Sequence, residues 1–496
     1  MLESSGHRML RDALKLTRVL GYTQREHRAN LALLYYWGNQ YNHLAPWDAQ
    51  DTPLREKAPS VRTRINKTAV DTIVSHLFGG KRQPTFKVEG DTRVNDLLQG
   101  LVSETSLAST FLGLGRLGAL TGTVVLGFHA FEGELDWTVT MGAHITPVFG
   151  RDDRRRAREL GLAFDDLLEL DEVWRTYAED ALGKTVETWH RRTWTVDRTI
   201  EYHPIEGPIR RSEDLDWRED TEQSVVHGLG FVPAEWIANL PVVNDIDGAP
   251  VVDTPEFELE DEINYTLSQT GRGIRYNQEP TLALINASLS KAEVIKRGSH
   301  HTLDIKPDRA LPENVAADAK LLEMNGSGGL LALEYSQKLA DFFYQCARVV
   351  IHDPDRAGGV LSGVALQRVK EPLLALIDEL RPQYGRGIER ALAKALAVQG
   401  HAKYGTIKVT ASWPQVIEPT IEDGLTLVTF LREARDAGWI TRDTALRRLA
   451  PYTGIEDVAK YAEELDMELA DEGTARRAVD ANRAASDQAA AGLDEL

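Results

Sequence analysis

The sequence predicts an α+β protein. Three observations carry this: two long segments of helical period, 254–277 and 329–352, a block of strand period between about 120 and 240, and a short mixed module, 278–328, between the two long segments.

The second long segment is the clearest. Residues 329–352 run without Pro or internal Gly, and Leu331, Tyr335, Leu339, Phe342, Cys346 and Val349 recur at gaps of three and four. About 23 residues at 1.5 Å rise give a rod of roughly 35 Å. Asp353-Pro354 is expected to stop it. Asp355-Arg356-Ala357-Gly358-Gly359-Val360-Leu361 follows, a loop made deformable by its paired glycines, and Ser362 suits the N-cap of the next helix. In the first long segment Thr254 suits a cap and Pro255 the first turn, Leu259, Ile263, Leu267 and Ile274 share a side, and Gly271 and Gly273 invite a kink. The module between the two has short apolar runs, Thr281 to Ile285 and His301 to Ile305, and ends in the joint Asn325-Gly-Ser-Gly-Gly. The arrangement reads as a stalk with a head on it, or as core helices of an α+β domain.

Before this arm, helices are expected at 29–44, at 64–78 before Gly79-Gly80, and at 95–112, with a strand at 84–88. From Gly122 the period becomes that of strands. Val124 to Phe131 and Leu135 to Thr140 flank the hairpin signal Glu132-Gly133-Glu134, and 144–149, 172–177, 186–196 and 199–203 continue an antiparallel region. After the arm come a helix opened by Ser362-Gly-Val-Ala-Leu, a separate helix at 386–399 and a strand at 407–412. Helices follow from Ile421 to Gly438 with Leu425, Val428, Leu431 and Ala434 on one face, from Thr441 with Leu446 and Leu449, and from Ile455 to Ala470. Beyond about Glu472 the chain has almost no large apolar residue and reads as disordered.

Composition narrows the function. Of 496 residues 42% are hydrophobic and 27% charged, no stretch approaches 18 uncharged apolar residues, and the N-terminus lacks the apolar core of a signal peptide. No membrane span is expected, and synthesis in the cytoplasm fits. Cys346, the single cysteine, permits no intrachain disulfide and reads as a buried small hydrophobe. The net charge of −19 argues against a protein that grips nucleic acid by its backbone, which is normally basic. It is compatible with one that encloses DNA and lets it slide, and equally with simple solubility.

Catalytic and ligand motifs fail on context. Gly113-x-Gly115-x-x-Gly118 follows helix-type sequence and precedes strand-type sequence, the reverse of a dinucleotide site. No Walker-type loop or zinc-protease motif occurs. His300-His301 lacks further ligands for zinc, and Asp245-x-Asp247-Gly248 lacks the last acid of a calcium loop. The basic run Arg151 to Arg158 reads as a phosphate-facing patch or as a solvated helix start neutralised by Asp152 and Asp153. Carboxylates are plentiful but nothing pairs them into an acid/base site. No catalytic, cofactor-binding or metal-binding residues are assigned, and no enzyme activity is expected.

An ordered series of segments resembles the portal (head-to-tail connector) proteins of tailed bacteriophages. Asn39-Gln-Tyr-Asn and Arg64-Ile-Asn-Lys-Thr-Ala-Val-Asp resemble N-terminal wing segments, and His227-Gly-Leu-Gly-Phe-Val-Pro the turn before the stem. Glu260 to Thr270 resembles the first stem helix, Ser362-Gly-Val-Ala-Leu the segment after the tunnel loop, and Trp413-Pro414-Gln the strand closing the wing. The series spans about Asn39 to Leu469.

The resemblance implies a ring-forming portal fold. Its parts would be a wing (1–250 and 366–418), stem helices (251–277 and 329–352), a clip (278–328), a tunnel loop (353–365), a helical crown (419–471) and a disordered tail (472–496). It implies a homododecamer at one capsid vertex of a virion, the channel for packaging and ejection of double-stranded DNA, with no cofactor. Partners would be the terminase, head-completion or adaptor proteins, and the major capsid and scaffold proteins. Asp355, Arg356, Ala357, Gly358, Gly359, Val360 and Leu361 would face DNA, Arg356 as the cation nearest phosphate, and Lys291, Lys296 and Arg297 would be clip contacts. Two other readings remain. One is a different oligomeric virion protein, such as a capsid-vertex or head-completion component. The other is an enzyme using its carboxylates, which predicts a monomer or small oligomer with turnover.

Overall fold

The computed structural model describes residues 24–49, 52–53, 56–104, 107–131, 134–179, 185–207, 215–278, 281–288, 306–307, 318–322, 327–350, 363–401, 403–416, 421–453, 458, 460–465 and 467. They form a mixed helix-and-sheet fold of two compact units, 1–351 with 372–414, and 352–371 with 415–496.

The first unit opens with helices α1 (Gln24–Trp37) and α2 (Ile65–Phe78). Ala69, Val70, Ile73, Leu77 and Phe78 bury one side of α2, and strand β1 (Thr85–Val88) follows. The single helix expected over 95–112 is two, α3 (Thr92–Glu104) and α4 (Leu107–Thr121). The buried positions explain the break. Val94, Leu98 and Leu101 keep a spacing of three and four, then the next are Leu107, Phe111 and Leu114; the gap between Leu101 and Leu107 throws the stripe out of phase. The Gly113-x-Gly115-x-x-Gly118 pattern lies inside α4, where it lets helices approach. A Cβ at Gly115 would fall 2.9 Å from the Phe78 ring, and one at Gly118 would collide with the Tyr384 hydroxyl.

The β block follows its predicted order. Strands β2 (Thr123–Phe131) and β3 (Glu134–Met141) form the hairpin, and β10 (Ala234–Ala238) pairs with the other edge of β2. A second sheet runs in the order β4 (Ile145–Phe149), β5 (Leu167–Glu179), β6 (Thr185–Thr195), β7 (Arg198–Tyr202), β9 (Glu219–Val226), with the short β8 (Ile205–Glu206) also on β6. Val125, Ile145, Phe149, Leu170, Trp194, Val232 and Ala234 share one core between the sheets. The basic run becomes helix α5 (Arg154–Leu160), whose cap Asp153 accepts the Arg156 amide, so the helix-start reading of that run holds. Asp247 accepts two bonds from the Arg25 guanidinium, which accounts for the aspartate of the calcium-like motif.

Small pairings complete the sheet inventory: β11 (Leu240–Pro241) with β12 (Gly248–Ala249), and β1 with β17 (Val409–Ser412). Helix α6 (Thr254–Gln278) is the first long segment and passes through Gly271 and Gly273 as one helix. Its cap is Asp253, not Thr254. The Asp253 amide donates to the Glu256 carboxylate three residues on, the reciprocal half of a capping box. In the module, β13 (Thr281–Ile285) pairs with β16 (Asp318–Leu322) and β14 (Ala287–Ser288) with β15 (Lys306–Pro307). His300-His301 and the whole of the 301–305 run lie outside the described residues.

Helix α7 (Ser327–Cys346) is the second long segment and ends six residues before the expected stop at His352. The Arg348 amide donates to the Gln345 carbonyl and the Val349 amide to the Tyr344 carbonyl, with Arg348 left-handed at φ 54°. This is a Schellman ending with arginine where glycine is usual, and Val349, the residue after it, is buried. Helix α8 (Gly363–Val398) replaces the two helices expected after the loop. It continues through Pro372 and Pro382, each costing one backbone bond. Leu373, Ile377, Leu380, Tyr384, Ile388, Ala391 and Ala395 bury a continuous stripe that holds the helix together across Pro382. Ser362, its proposed cap, lies outside the described residues.

In the second unit, α9 (Ile421–Asp436) ends at Gly438, which is left-handed at φ 72°. Leu431 and Ala434 are buried and Val428 is exposed. Helix α10 (Arg442–Thr453) starts where expected, and the Thr441 hydroxyl caps it by accepting the Thr444 amide. Residues 460–465 are helical, and the 472–496 tail lies outside the described residues.

Candidate functional site

The candidate site is the arm made of α6 and α7. The two helices run in opposite directions. The module joins their near ends through the Thr281–Leu322 pairing, Gly329 faces Thr270, and Tyr344 and Cys346 lie within electrostatic range of Glu260 and Glu256. The bracketed helix–module–helix order of the sequence is therefore a hairpin of helices carrying a small β module.

Helix α6 is tied down by polar groups. Glu260, Asp261, Asn264 and Ser268 are all buried. Tyr35 and Tyr41 both donate hydroxyl hydrogens to Asp261, at 2.7 and 2.5 Å. Glu260 accepts from the Asn66 backbone and side chain at 3.0 and 2.6 Å and from Gln40 at 3.3 Å. Asn264 accepts the Thr63 amide at 2.8 Å and donates to the Tyr41 hydroxyl, while Ser268 accepts the Val61 amide. The Tyr35 ring also stacks on Phe257 at 4.4 Å. Burial pushes the Asp261 carboxyl up to about 7 against the pull of its two tyrosine donors, and it raises Glu260 as well. Sequence reading missed this network. Its signal in the sequence is the run of acids in Glu258-Leu-Glu-Asp-Glu262 inside an otherwise amphipathic helix.

Helix α7 has two faces. Ser336, Phe343 and Ala347 point inward and are buried. The stripe read from the sequence points the other way: Leu331, Tyr335 and Phe342 are 68%, 46% and 54% exposed. Cys346 is exposed too, which corrects its assignment to the core. At 100° per residue, Leu331, Tyr335, Phe342 and Cys346 fall within about 60° of one another, so the stripe is continuous. The expected period holds; of the other two members of the stripe, Leu339 is half-buried and Val349 is buried. A strict heptad spacing marks a face made for another helix, and the protomer fills its own core with the neighbouring positions instead.

No protein-family model matches the sequence, and no curated protein is significantly similar to it. Among solved structures, the neck of an empty GTA particle computed with C6 symmetry aligns with a TM-score of 0.43 at 14% identity, over 78% of this chain and 90% of that one. The neck of a native GTA particle computed with C12 symmetry aligns with a TM-score of 0.41 at 12% identity, over 78% and 89%.

The residues singled out for DNA and clip contacts, Asp355 to Leu361 and Lys291, Lys296 and Arg297, lie outside the described residues. Among the described residues no cluster of three or more His, Cys, Asp or Glu side chains is placed to hold a metal ion. Among them, too, no helix is long and apolar enough to cross a membrane.

Proposed function

We propose that this chain is the subunit of a portal ring, twelve copies around a DNA channel at one capsid vertex. The observation that carries the reading is the exposed apolar stripe of α7 on an arm whose other helix is tied into the body by buried hydrogen bonds. An apolar helical face of this length on a soluble protomer calls for a partner. A heterologous contact repeated around an axis closes into a ring. The ordered motifs from Asn39 to Trp413 and the net charge of −19, which favours passage of DNA over grip, support the same reading.

In this proposal the 353–365 segment lines the channel, Arg356 meets phosphate, and the module between α6 and α7 receives the terminase during packaging and head-completion proteins afterwards. The ring is made in the host cytoplasm, assembles with scaffold and major capsid protein, and hydrolyses nothing; ATP turnover belongs to the terminase. Native mass spectrometry and negative-stain microscopy of the purified chain test it. A closed ring near twelve copies with an axial hole is expected. A chain that stays monomeric or dimeric with scaffold and capsid protein present overturns the reading.

A further inference from the structure

Glu260 and Asp261 are consecutive carboxylates, each at 0% exposure. The hydrogen bonds they receive come from neutral donors: Gln40, Asn66, Asn264, Tyr35 and Tyr41. Among the described residues no Lys, Arg or His pairs with either. The surrounding titratable and charged groups are Tyr35 on α1, Tyr41 and Arg62 in the segment after it, Glu258 and Tyr265 on α6, and Tyr344 on α7. Arg62 is spent on the face of the Tyr41 ring, 5.5 Å from its centre. Two adjacent negative charges without a cation are costly in such a place, and a proton on the pair removes one of them.

The pair also sits where α6 is anchored. Its donors, with Thr63 and Val61, connect α6 to the 35–66 segment along several turns of the helix, from Glu260 to Ser268. Arg28 pairs with Asp253 at the start of the same helix, and Tyr265 donates to the Lys57 carbonyl. We propose that Glu260 and Asp261 form a proton-held latch: one proton on the pair fixes α6 to the 35–66 segment, and its loss loosens the arm.

The sign follows from burial. A carboxyl raised in the folded state contributes stability that is fully present below its unfolded value and is lost as pH rises through its folded value, about 7 for Asp261. The pair titrates together, so the loss belongs to both acids. Acid tightens the latch and alkali releases it, the opposite of an arm held by a carboxylate–cation pair.

Amide hydrogen exchange over residues 254–268, corrected for the intrinsic pH dependence of exchange, tests this between about pH 5.5 and 8.5. In the unaltered chain protection should fall by up to about tenfold per pH unit as pH rises toward about 7, and level off above it. Asp261→Asn, which carries the neutral form permanently, should abolish the fall. Protection independent of pH in the unaltered chain, or an undiminished fall in Asp261→Asn, overturns the latch. If Asp261→Asn does not fold, Tyr35→Phe carries the test. It removes a donor that favours the ionised acid and should move the fall to higher pH, and an unmoved midpoint overturns the latch.

Discussion

Lys394 lies 2.7 Å from Glu235, joining α8 to β10 with side chains only 2% and 5% exposed. The same ammonium donates to the Ala234 carbonyl at 2.9 Å and faces the Phe231 and Tyr404 rings. Arg390, one turn earlier, holds Asp165 and Asp166. Gly387 makes the approach possible, since a Cβ there would collide with Ile237 of β10.

Removing Lys394 takes the close cation from buried Glu235 and leaves it only the longer Arg390 contact at 3.6 Å. Lys394→Met is expected to destabilise the first unit by about 3–5 kcal/mol. Adding Glu235→Gln should recover part of that. Denaturant melts of the single and double variants check it; equal stabilities of Lys394→Met and the unaltered chain would remove the pair from the account of how α8 is held.

The α7 stripe predicts a separation of folding from assembly. Phe342→Glu alters an exposed side chain and should change protomer stability by no more than about 0.5 kcal/mol. It should abolish higher oligomers in analytical ultracentrifugation, whereas Gln345→Glu, beside the stripe, should leave them intact. Unchanged assembly in Phe342→Glu would mean that the stripe is not the contact.

Cys346 offers a probe without mutation. Partial burial and the nearby Glu256 carboxylate raise its thiol above the ordinary cysteine range. It should react with a maleimide in the protomer, more slowly than a free thiol at neutral pH. In the assembled ring it should be protected, and mass spectrometry of the two forms would show one labelled and the other not.

Glu172 predicts a second pH effect, in the six-stranded sheet. Burial pushes its carboxyl up to about 7 despite the facing Arg192 and His144. Its folded value is raised, so its contribution is present in acid and lost as pH rises through about 7. Glu172→Gln should flatten the fall in stability between about pH 5 and 8 by an amount on the order of 2–3 kcal/mol. Thermal melts across that range read it, and an unflattened profile would mean that Glu172 is ionised at no cost.

Deleting Gly358 to Val360 should leave rings intact and impair DNA packaging. Loss of ring assembly in that variant would make the segment structural rather than a channel lining.

Local pattern along the chain sets where elements lie and what repeats. The helical period of 254–277 and 329–352, the strand period after Gly122, the hairpin at Glu132-Gly133-Glu134 and the helix start at Thr441 depend on neighbours a few residues away, and local pattern carries that information. Only the tertiary structure decided which side of a stripe is inside. Leu331 and Phe342 keep the period of a buried face and are exposed, because Phe343 and Ala347 meet the body of the protein first. It also decided what the acids of α6 do. Glu260 and Asp261 look like solvated helix residues until Asn66, Tyr35 and Tyr41, some two hundred positions away in the chain, close over them. Burial and long-range hydrogen bonding are properties of the folded packing, and no window of sequence contains both partners.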